Sequence, residues 1–178
     1  MELFQNDFFC AAPLIYKKGE RKTLKIGAEE CHVRIGNYPT AKLAMFIQLI
    51  DADGCPYMTL SKNFGNFSYV NEMMPFMNTF VQKNSTFIDI NNLHTDPNEI
   101  MSQLGAKPYM RWGSPVHMES GWCQYPLWEF DPAILREFDP EGYDRYVKTW
   151  MEEFPKQQAE LNKEMFGDTD EEEDAYEE

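Results

Sequence analysis

A cysteine hydrolase needs a thiolate, a base to generate it and an acceptor that orients the base. The sequence holds the residue types for one: Cys123, with His94 or His117 as base and Asp89 or Asn91 as acceptor. Such types occur together by chance in most chains. Cys123 also lies in an alternating aromatic run, with Trp122, Tyr125 and Trp128 around it, where a core or sheet position is the usual outcome. The four cysteines, Cys10, Cys31, Cys55 and Cys123, include no Cys-x-x-Cys pair, and no His-x-x-x-His accompanies them, so the spacing of a zinc site is missing. Asp51-Ala52-Asp53-Gly54 opens like a calcium loop, yet the twelfth position, where an EF-hand needs Glu, is Lys62. Asp51 with Asp53, and Glu152 with Glu153, are paired carboxylates in a turn and on a polar helix face. Neither pair has the apolar pocket that raises one carboxyl pKa for acid catalysis. A glycine-rich phosphate loop and a Gly-x-Ser-x-Gly elbow are absent from the sequence. The expectation is a protein that is not an enzyme and uses no cofactor or metal.

What stands out instead is charge. The chain has 178 residues, 30 Asp plus Glu against 16 Lys plus Arg, and a formal net charge of −14. Residues 1–128 carry 12 acidic and 11 basic side chains, whereas residues 129–178 carry 18 and 5. The extreme is the end, where Asp168, Asp170, Glu171, Glu172, Glu173, Asp174, Glu177 and Glu178 follow Gly167 almost without interruption. Such a block repels itself and has nothing to bury, so residues 167–178 are expected to be a flexible, acidic tail after one domain over 1–166. Lys17, Lys18, Arg21, Lys22 and Lys25 around Glu20 predict an exposed hairpin; five basic residues on a polyanion make a poor nucleic-acid site. No apolar run reaches the roughly 20 residues of a membrane span, and the first residues lack a signal peptide's pattern. The expected location is cytoplasmic, with the thiols reduced and behaving as small buried hydrophobes.

The elements that would position these residues are short. Leu14–Lys18 and Thr23–Ile26 about Gly19, then Cys31–Asn37, read as hairpin strands. Leu43–Ile50, the Asp53-Gly54 turn and Tyr57–Leu60 make the strongest hairpin, and Thr86–Ile90 is another strand. Asn63–Ser85 has no clean periodicity. Three Asp-Pro pairs each set an N-cap acceptor before a proline suited to the first helical turn. They predict helices from Asp96-Pro97 to Leu104 with Gly105 as stop, from Asp131-Pro132 to Phe138, and a longest one from Asp139-Pro140. In the last, Tyr143, Val147, Trp150, Met151 and Phe154 form an apolar stripe, Pro155 is expected to break or kink it, and Glu152, Glu153, Glu160 and Glu164 point outward. The fold class is α+β: an antiparallel sheet from the N-terminal half packed by C-terminal helices, with the acidic tail behind.

Three segments, Leu43–Phe64, Phe87–Leu93 with its following helix, and Ser120–Pro132 (SGWCQYPLWEFDP), together resemble the domain-of-unknown-function family numbered 4313, small acidic proteins of bacterial mobile elements. The likeness covers roughly residues 35–135. The family's Gly-rich basic stretch has a poor counterpart in Arg111–His117, which holds one Arg. The resemblance implies context rather than catalytic residues.

Charge and context together predict a non-enzymatic binding protein of a phage or mobile element. It would inhibit a basic nucleic-acid-binding protein, possible victims being the nucleases of restriction or CRISPR defence, as a DNA mimic. Its partner-binding residues would be Glu152, Glu153, Glu160, Glu164, Asp168, Asp170, Glu171, Glu172, Glu173 and Asp174, with no direct contact to nucleic acid or membrane. The alternative is an interaction or regulatory module using the aromatic segment around Arg111, Trp112 and Trp122; a Cys123 hydrolase is the third class.

Overall fold

The computed structural model describes residues 21–65, 67–68, 79–80 and 82–167. The expected strand Leu14–Lys18, its Gly19 turn, Cys10 and the acidic tail from Asp168 lie outside them. The protein is α+β. Strands β1 (Leu24–Ile26), β2 (Glu29–Tyr38), β3 (Ala41–Ile50) and β4 (Pro56–Thr59) form an antiparallel sheet in sequential order. Strand β5 (Ser61–Lys62) leaves that sheet for a second one. There β8 (Ser85–Ile88) lies between β5 and β13 (Cys123–Phe130), and β12 (His117–Ser120) pairs with β13. Leu60 joins the two sheets: its N–H donates to the Ile47 carbonyl, and its own carbonyl accepts from the Asp89 N–H. A separate ribbon pairs β6 (Phe67–Ser68) with β7 (Thr79–Phe80).

The near-continuous apolar run of β3 has a simple cause, because the strand is buried on both faces. Met45, Ile47 and Leu49 enter the main core, while Ala44 and Phe46 join Tyr38 and Ala41 in a smaller cluster on the other side. Three helices close the main core over the sheet, each bringing apolar side chains. Helix α1 (Pro97–Gln103) contributes Ile100 and Met101, α2 (Pro132–Phe138) contributes Leu135 and Phe138, and α3 (Pro140–Phe166) contributes Tyr143 and Tyr146. Burial of Ile100, Met101, Leu135 and Phe138 stabilises the fold by about 1.5–3 kcal/mol each relative to exposure. The helices start where the Asp-Pro pairs require, with the carboxylates of Asp96, Asp131 and Asp139 accepting backbone N–H groups of Asn98, Ala133 and Gly142. Gly105 has φ +64°, and a Cβ there would also strike Ile134, so this stop needs glycine on both counts.

The structure corrects several expectations. Strands also come from residues 106–130, with β9 (Ala106–Pro108), β10 (Met110–Arg111) and β11 (Ser114–Pro115) preceding β12 and β13. Helix α3 does not break at Pro155, which lies within its 27 residues on an exposed position. In the expected stripe Met151 is exposed, and Tyr146 takes the buried place one turn after Tyr143. Arg21 and Lys22 are not a free basic hairpin. Arg21 Nη1 pairs with Asp139 at 2.8 Å and Nη2 with Glu141 at 2.6 Å, and Lys22 reaches Glu137 at 3.1 Å. Of the described cysteines Cys31 is buried as expected, but Cys55 is exposed because it closes the surface turn in which the Asp51 carboxylate accepts the N–H groups of Asp53 and Cys55.

Candidate functional site

Cys123 opens β13 opposite Ser120, half-buried, while His117 pairs with Pro126 three rows along the hairpin. The His117 Nε2 lies 3.4 Å from Glu119 Oε1, and His94 is exposed ahead of α1. Asp89 accepts from Asn91 and Asn92, and the Asn91 amide donates to the Gln124 carbonyl, so both candidate orienting residues fasten their own loop to β13. Among the described residues no hydrogen bond links Cys123 to a histidine, and no group of three or more His, Cys, Asp or Glu side chains has the arrangement of a metal site. No described helix is long and apolar enough to cross a membrane.

The acidic candidates on α3 fall into two kinds. Glu152, Glu160 and Glu164 are exposed and make no ion pair among the described residues. Glu153 is held instead: its Oε1 accepts from Lys42 at 3.3 Å and Lys156 at 3.4 Å. Burial would raise its carboxyl pKa, but the hydrogen bonds and charges of these two lysines outweigh it and hold the group below its ordinary value. At about 100° per residue, Lys156 and Lys163 fall on the same arc of α3 as these glutamates. The helix therefore presents an interrupted negative face, and the dense charge of Asp168, Asp170, Glu171, Glu172, Glu173 and Asp174 lies outside the described residues.

The aromatic candidates divide as sharply. Tyr125 and Trp128 point into the protein, but Trp112 is 71% exposed and Trp122 fully so. Both sit at the tips of two-residue hairpin turns. Between Arg111 and Ser114, Trp112 and Gly113 have φ +49° and +77°, the signature of a type I′ turn. Between Ser120 and Cys123, Gly121 takes φ +62° and Trp122 follows it. Both hairpins hang on one edge of β13. That edge pairs with β9 through Phe130 to Trp128 and with β12 through Pro126 to Cys123, and the Leu127 N–H and carbonyl bond Val116 and Tyr109 between them. The β10–β11 ribbon springs from the sheet at this point, its base closed by Val116 N–H to the Tyr109 carbonyl. Tyr109 and Val116 pack on a cluster of Phe87, Tyr125 and Leu127, so a firm base carries each exposed tip. Met110 is exposed beside Trp112, and the Arg111 guanidinium lies 5.5 Å from the Trp112 ring centroid.

The signal for both tips was present in the sequence as Trp112-Gly113 and Gly121-Trp122, glycines beside tryptophan between strand-forming residues. Compared with models of known families, with curated proteins and with solved structures, the chain finds no match in any of the three.

Proposed function

We propose that the chain is a non-enzymatic binding protein of a mobile element that docks on a basic, nucleic-acid-binding protein, a defence nuclease by class, and blocks it. The observation that carries this reading is the exposure of Trp112 and Trp122 on two hairpins held by one sheet edge. Tryptophan is the residue most enriched among interface hot spots, and a large ring in water contributes nothing to the fold. The net charge of −14 selects a basic partner and speeds encounter, whereas the rings provide short-range affinity. This assigns anchoring to Arg111, Trp112 and Trp122 and long-range attraction to Glu152, Glu160, Glu164 and the acidic end. The nuclease class rests on the resemblance of residues 43–64, 87–93 and 120–132 to mobile-element proteins.

The test is capture from bacterial lysate by the full chain, by a Trp112→Ala/Trp122→Ala variant and by a chain ending at Gly167. It is run at 0.1 M and 1 M salt, where screening lengths are about 10 Å and about 3 Å. The expected result is a nucleic-acid enzyme held by the full chain, lost by the tryptophan variant, and bound more weakly by the shortened chain at low salt only. Equal capture by the tryptophan variant removes the hairpins as anchors. Capture of no nucleic-acid enzyme removes the partner class.

A further inference from the structure

A cavity of about 320 Å³ opens where the outer edge of β2 meets the middle of α3. Its lining includes Arg34 and Gly36 of β2, Lys42 of β3, and Arg145 and Thr149 of α3. Arg34 and Arg145 have no carboxylate within ion-pair range among the described residues, and the Thr149 hydroxyl makes no hydrogen bond among them. Arg21, Lys22, Lys42 and Arg136 have carboxylate partners, whereas these two arginines line one opening without one among the described residues. Arg145 and Thr149 are one turn apart and so lie on one face of α3. Lys42 is shared with Glu153 at 3.3 Å.

The second observation is Gly36. A glycine in mid-strand weakens the strand, and its usual reasons are a positive φ or a close neighbour. Gly36 has neither: its φ is not positive, and a Cβ built there meets nothing within 4 Å. Gly36 lines the cavity with Arg34 and Arg145, and the missing side chain leaves open space there. Gly142, by contrast, is dictated by packing, because a Cβ there would strike the Ile35 carbonyl and the Asp139 carboxylate.

We infer that this cavity is a binding site for a phosphorylated small molecule, with Arg34 and Arg145 clamping the phosphoryl oxygens, Thr149 donating its hydroxyl and Lys42 closing the rim. Guanidinium forks match phosphate geometry. The volume lies at the lower end for a small-molecule site. The site is on α3 and β2, away from the tryptophan hairpins, and does not depend on the function proposed above.

The experiment is calorimetric titration of the full chain at fixed ionic strength with inorganic phosphate, with adenosine monophosphate and with a twenty-nucleotide single strand of thymidylate. The expected result is saturable, mutually competitive binding of the two small probes. Equal affinities would make free phosphate the source of the ligand, and tighter adenosine monophosphate a phosphate monoester. Arg34→Gln with Arg145→Gln should weaken binding at least tenfold. Gly36→Val should do the same with an unchanged or higher melting temperature, since it fills space in a strand. No saturable binding of either small probe overturns the site, as does binding that survives both variants or an oligonucleotide bound more tightly than adenosine monophosphate. If Gly36→Val unfolds the chain, the arginine pair decides alone, because neither side chain has a partner to orphan.

Discussion

Two regions of the molecule use polar and aromatic side chains in opposite ways. At the junction of α2, α3 and β2, Asp139 is buried and both of its oxygens accept hydrogen bonds. Its Oδ1 accepts from Arg21 and the Gly142 N–H, and its Oδ2 accepts from the Ile35 N–H at 2.9 Å. One carboxylate thus caps a helix and satisfies a strand edge that has no neighbouring strand. A turn away, Tyr143 donates to the Asn84 carboxamide and Tyr146 accepts from the Asn84 N–H, which holds Asn84 at φ +64°. On the β13 edge, large rings stand in water and one of them occupies a strained backbone position. Where every group has a partner, the residues are explained by stability alone. Where the Trp112 ring has only the Arg111 guanidinium beside it and Trp122 is fully exposed, stability gives no reason for rings of this size, and that contrast is why the hairpins rather than the junction are assigned to a partner.

The contrast breaks first at Asp139. Asp139→Ala removes the cap of α3 and leaves a buried Ile35 N–H without an acceptor, with an expected loss of about 3–4 kcal/mol in chemical denaturation. Trp122→Ala in the same assay should change stability by less than about 0.5 kcal/mol. A comparable loss from both would erase the distinction. Alkali gives the next largest effect. Burial pushes the Tyr38 phenol up to about 12, against a partial offset from its hydrogen bond with Ser61, and burial also raises Tyr143 and Tyr146. The unfolded chain releases these protons near pH 10 while the folded chain retains them. Stability is therefore full below pH 10 and falls above it. Tyr38 alone accounts for about 2 kcal/mol by pH 12, and Tyr38→Phe should flatten the alkaline limb of a melting-temperature profile. Gly142→Ala follows: helix propensity favours Ala by about 1 kcal/mol, yet the clash with the Ile35 carbonyl reverses the sign to a loss of about 2 kcal/mol.

How much of this was legible in the sequence follows from range. The Asp-Pro pairs located all three helix starts because a cap and a proline act within one turn. Leu43–Ile50 was legible as a strand because burial on both faces leaves a continuous apolar run. Local signals did not show that Asp139 also serves Ile35, a contact across 104 residues, or that Arg21 closes on Asp139 from 118 residues away. The stripe on α3 was misjudged at Met151 for the same reason: only the register of α3 on the sheet decides that Tyr146 is covered and Met151 is not. The hairpin strands between residues 110 and 130 were marked by glycine alone, in Trp112-Gly113 and Gly121-Trp122, without the asparagine or aspartate that usually accompanies it. The acidic helix face was overestimated, since Lys42, which neutralises Glu153, arrives from a distant strand.

The smallest effect is the most discriminating, because stability and binding should move in opposite directions. Trp112 has φ +49° at the first central position of a type I′ turn, a conformation that costs a bulky L-residue and suits asparagine followed by glycine. Trp112→Asn turns this tip into Asn-Gly and should stabilise the fold by about 0.5–1 kcal/mol, read as a small rise in melting temperature. The same variant should lose partner capture, since the ring exposed at the tip is gone. A residue retained for folding would lower both when replaced, and one without a role would leave capture unchanged. A more stable chain that no longer binds is the outcome expected of a ring held in strain for contact with another molecule.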